Sequence, residues 1–112
     1  MGAFQNKAVQ LVKVRTGEEP ASQEDLVRDQ VLRSMLELYQ AAGGSLDELI
    51  ETAHQNLQPL AEVPRVDIAM GDLMQSLALL GYVHDIDIIQ AGYNTLDAQI
   101  RELRQRHDLM DD

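Results

Sequence analysis

Apolar residues recur along this chain at steps of three and four, the period of helices that bury one side. Val27, Val31, Met35, Leu38 and Ala42 form the clearest early stripe, and Leu32, Leu36 and Tyr39 widen it. Ser22 with Asp25 three residues on predicts a capping-box start for this helix, and Gly43-Gly44 predicts its end. Ser45 with Glu48 opens the next helix by the same logic. Leu46, Leu49, Ile50, Ala53 and Leu57 form its apolar side, and Pro59 limits its length. A short glycine joint makes the two helices antiparallel neighbours or a sharp corner. The break over 58–65 holds two prolines, and Pro64 suits the first turn of the helix that follows.

That helix, from about Arg65 to Val83, is the axis of the expected fold. Ala69, Leu73 and Leu77 share one side of it, whereas Leu77-Ala78-Leu79-Leu80 is apolar all round. Such a helix has to be covered by neighbouring helices, a second subunit or a membrane. The wholly apolar run is far short of the roughly 20 residues of a membrane span, so the stretch is expected at the centre of a helical core. Asp85 or Asp87 can cap a last helix on which Ile89, Tyr93, Leu96, Ile100 and Leu103 step by four, three, four and three. Gly92 lies inside it, costs about 1 kcal/mol relative to alanine, and signals a close helix approach or a kink. Asp97 with Arg101 and Glu102 with Arg106 are spaced as ion pairs. Arg104, Arg106 and His107 are expected in the last turn, against the negative end of the helix dipole.

Residues 4–15 fit a helix through Phe4, Ala8, Leu11 and Arg15, or a short strand through Val9, Leu11, Val12 and Val14. The helix is preferred, because a lone strand has nothing to pair with. The predicted fold class is therefore all-α: a compact bundle of four or five helices completed by dimerisation. The expected single domain, 1–112, has an N-terminal helix or arm and loop (1–21), a helical core (22–107) and a frayed tail (108–112).

Charge and composition narrow the functions. The net charge is −10, and residues 16–100 hold fifteen acids against Arg28, Arg33 and Arg65. Nucleic acid is a poor partner for such a surface. The basic ends, with Lys7, Lys13 and Arg15 at one and Arg101, Arg104 and Arg106 at the other, are expected to lie back on the acidic middle. The alternative is that they meet an acidic partner protein. The absence of cysteine excludes disulfides and thiolate sites and fits a cytoplasmic location. No phosphate loop or nucleophile motif is present, and His54, His84 and His107 are far apart.

Gly71-Asp72 followed by LMQSLALLG, an acidic turn and another helix resembles the MazG-like all-α nucleoside triphosphate pyrophosphohydrolases. The resemblance implies magnesium held on a nucleoside triphosphate by hard carboxylate oxygens. It assigns Glu37 and Asp72 as metal ligands. Arg33, Ser34 and Ala69 stand where that family carries further acids. The expectation is therefore a small soluble homodimer that works by binding and self-association without catalysis. A Mg-dependent nucleotide pyrophosphohydrolase is the alternative.

Overall fold

A computed structural model describes residues 1–57 and 63–111, with side chains as far as His107 at the C-terminal end. The described chain is all-α and contains no strand. Five helices follow in order: α1 (Ala3–Thr16), α2 (Glu24–Ala41), α3 (Leu46–Asn56), α4 (Val66–Val83) and α5 (Ile88–Asp111), with a 3₁₀ turn at Pro20–Gln23 before α2. The ambiguous N-terminal segment is thus helix. The elements fall into two units, one of Met1–Ser22 with Arg65–Asp112 and one of Gln23–Pro64.

In the first unit α1 lies beside α5 with both chains running the same way. The order of partners shows it: the Phe4 ring meets Tyr93 edge-on at 5.1 Å between centroids, Lys7 pairs with Asp97, and Val14 lies opposite Leu103 and His107. Leu11 and Leu96 are the buried apolar residues among those described, at 6% and 5% exposure. Each such burial is worth about 1.5–3 kcal/mol. Gly92 marks a close approach and not a kink, because a Cβ there would stand 2.9 Å from the Phe4 ring. Ile89 was expected on the buried face, yet it is exposed. The helix pair begins at Phe4 against Gly92 and Tyr93, and Ile89 lies a turn short of it. Ile88 turns inward instead, over Gly81. Asp97 pairs with Lys7 and not with Arg101 as the spacing suggested, whereas Arg106 does reach Glu102 at 2.8 Å.

The corner between α4 and α5 is set by backbone chemistry. Asp85 adopts φ 55°, and the Ile86 and Asp85 amides donate back to Gly81 O and Tyr82 O at 2.8 and 3.2 Å. This is a Schellman-type stop made with aspartate in place of glycine. Asp87 then caps α5, its carboxylate accepting from the Gln90 amide at 2.9 Å. Pro64 precedes Arg65, the N-cap of α4, and so stands just outside the first turn where it was expected. Helical backbone continues to Asp111, which leaves Arg104, Arg106 and His107 inside α5 and not in its last turn. The tail expected to fray from Asp108 is part of that helix as far as Asp111.

The second unit contains α2 and α3. The expected Ser22 cap does not form: its hydroxyl donates to Glu19 O at 2.7 Å inside the 3₁₀ turn, and α2 starts at Glu24 behind Gln23. The far end matches expectation. Gly43 takes φ 98°, and the Gly44 and Gly43 amides donate to Tyr39 O and Gln40 O. Ser45 Oγ accepts from the Glu48 amide at 3.2 Å and opens α3. The Tyr39 ring lies over Gly44, and its hydroxyl donates to Glu48 at 3.1 Å. The stop assigned to Pro59 lies outside the described residues.

Candidate functional site

The expected core helix is the first correction. Gly81 is the one buried residue of α4, and much of the helix is open: Met70 is 61% exposed, Met74 59% and Leu79 68%. Leu73, Leu77 and Leu80 are half-buried. The apolar pattern was read correctly, but a pattern fixes only which side seeks cover, and α4 meets α5 chiefly at their shared corner. With the helix bounds in hand, Val66, Met70, Leu73, Leu77 and Leu80 step by four, three, four and three. That is the spacing of a coiled-coil seam. It was readable in the sequence, behind the more conspicuous all-round apolar run. By length and composition the 18 residues of α4, with a mean hydropathy of 1.2, also suffice for a membrane crossing.

The second feature emerges from the pairing of α1 with α5. The two basic ends of the sequence lie on each other, and the expected contact with the acidic middle is made in part, by Lys7 with Asp97 and Lys13 with Glu19. A groove of about 410 Å³ runs between the helices. Leu11, Val14, Ile100 and Leu103 form its floor, and Lys7, Arg101, Arg104 and His107 stand around it with a single acid, Asp97. Lys7 neutralises Asp97 and lies 5.8 Å from the centre of the Tyr93 ring. Lys13 is held by Glu19 at 2.7 Å. Arg15, Arg101 and Arg104 have no ion-pair partner among the described residues. The sequence showed two basic stretches, but only the parallel pairing, across 90 positions between Lys7 and Asp97, makes them one surface.

The residues singled out for metal chemistry belong to different units. Glu37 projects from α2 and Asp72 from α4, and both are exposed. The positions three and four away from Glu37 hold Arg33, Ser34, Gln40 and Ala41. Around Asp72 they hold Ile68, Ala69, Gln75 and Ser76. Neither acid therefore gains a second carboxylate along its own helix. Among the described residues no three His, Asp or Glu side chains gather in a metal-binding cluster. Of the acids near His84, Asp87 caps α5 and Asp85 terminates α4.

Fold and surface together define a class: an all-α chain with an apolar helix largely open within its own unit and a cationic groove. Comparison with protein-family models, with curated proteins and with solved structures finds no match.

Proposed function

We propose that this chain is a non-catalytic binding protein that associates with a second copy of itself, with the seam of α4 as the contact. The observation that carries this reading is the apolar seam of Val66, Met70, Leu73, Leu77 and Leu80, exposed at Val66 and Met70 and half-buried further on, with exposed Met74 and Leu79 beside it. A specific interface of this kind buries about 1,200–2,000 Å² in total. A second copy suits α4 better than a bilayer does. Asp67 and Asp72 lie within its 18 residues, and a charged side chain at mid-membrane costs roughly 2.5–3.5 kcal/mol even on the lenient insertion scale. In a helix pair both can stay beside the seam in water.

Light scattering at micromolar concentration is the direct test. The expected mass is twice the 12.5 kDa of one chain, and Met70→Glu with Met74→Glu should weaken association by at least about a hundredfold. A wild-type mass of one chain throughout that range would overturn the reading.

A second reading, Mg-dependent hydrolysis of a nucleoside triphosphate, is favoured by one observation. The Glu37 and Asp72 carboxylates are exposed and have no ion-pair partner among the described residues, so both are open to a cation. Magnesium commonly takes one or two carboxylates and completes its shell with water and substrate phosphate. This reading expects pyrophosphate release from a nucleotide panel with Mg²⁺, abolished by Asp72→Ala. No turnover, with no metal-dependent shift in melting temperature, would dismiss it.

A further inference from the structure

We infer that the groove between α1 and α5 is a binding site for an amphiphilic anion: a carboxylate or phosphate monoester on an unbranched apolar chain. The inference is independent of self-association through α4 and rests on different residues. Its volume of about 410 Å³ falls in the range of small-molecule sites, which are typically apolar clefts with a few polar groups that orient the ligand. Here the apolar part is the floor of Leu11, Val14, Ile100 and Leu103, and the polar part is a rim of cations. Arg101 and Arg104 are three apart on α5, so both guanidinium groups can reach one anionic head. Guanidinium groups bind carboxylate and phosphate with short, charge-assisted hydrogen bonds.

The acid in the groove does not oppose this. Asp97 is already matched by Lys7, so the cations of the rim are in excess around a neutralised pair. A purely polar anion would leave the floor in water, and a neutral chain would leave the arginines without a counter-charge. The groove runs along α5 from Ile100 to His107, about 10 Å at the helical rise, a length that suits octanoate.

Isothermal titration of the full chain with octanoate and with octyl phosphate tests the site and distinguishes the two heads. Acetate, inorganic phosphate and octanol supply head or chain alone. Saturable binding is expected for at least one amphiphile, with each half-ligand at least about tenfold weaker. In Arg101→Ala/Arg104→Ala the amphiphile should lose at least about tenfold in affinity. The mass by light scattering and the helical circular dichroism should not change, because both arginines are exposed. Two results would overturn the inference: no binding of either amphiphile, or binding that the double variant leaves intact. The latter would place the ligand on another apolar surface, such as α4.

Discussion

Tyr39 shows how much a single side chain settles in the smaller unit. Its ring covers Gly44 and its hydroxyl reaches Glu48, so it clasps the joint between α2 and α3. Desolvation first, and then the Glu48 hydrogen bond and charge, raise the phenol above its ordinary value of 10.0. The folded state thus favours the neutral form. The associated stability is fully present below the ordinary value and is lost as pH rises through the raised one. Ultraviolet titration should therefore show one late phenolate step that disappears in Tyr39→Phe, and the variant's melting temperature should fall less above pH 10 than that of the wild type. The glycines offer a graded comparison. A Cβ at Gly81 would meet the Ile86 carbonyl oxygen at 2.9 Å, backbone that cannot easily yield, and at Gly92 it would press on Phe4; at Gly71 it would meet nothing within 4 Å. Chemical denaturation at one protein concentration should show Gly81→Ala and Gly92→Ala destabilised by about 1–3 kcal/mol. Gly71→Ala should gain about 0.8–1 kcal/mol of helix propensity.

Among the elements, what was legible in the sequence is what is decided locally. Gly43-Gly44-Ser45 with Glu48 was readable as stop and start because both motifs close within a few residues. Asp87 before α5 and the extent of α4 were readable for the same reason. Burial was not. Val27, Val31 and Met35 make a well-formed apolar face on α2, and all three are exposed, since periodicity marks a face without supplying what covers it. Pairing was not legible either. Asp97 with Arg101 was the local expectation, but Lys7 arrives from a distant helix and takes Asp97, which releases Arg101 toward the groove. The candidate site was visible only as separate basic residues, because its shape depends on α1 docking parallel to α5. Glu37 and Asp72, by contrast, were easy to single out as acids, yet they belong to different units.

For the molecule as a whole, the proposed pairing through α4 would link association to stability. A ligand or partner that binds the folded form raises apparent stability by mass action. The melting temperature should therefore rise with protein concentration in the wild type, and Met70→Glu/Met74→Glu should flatten that dependence. With a net charge of −10 on each copy, added salt should promote association by screening repulsion between copies, the reverse of what an interface held by ion pairs would show. Differential scanning calorimetry over a hundredfold range of concentration, at low and high salt, reads both effects.

The pairing of Phe4, Lys7 and Leu11 with the helix that begins at Ile88 also bears on the order in which the chain can fold. Joining segments some 90 residues apart carries a loop-closure cost of about 4 kcal/mol. No contact made early in synthesis can offset it. Of the described helices, α1 is thus the one that must wait longest for its neighbour. Until that neighbour arrives, Leu11 and Phe4 are open to any other apolar surface, including the still uncovered face of α4.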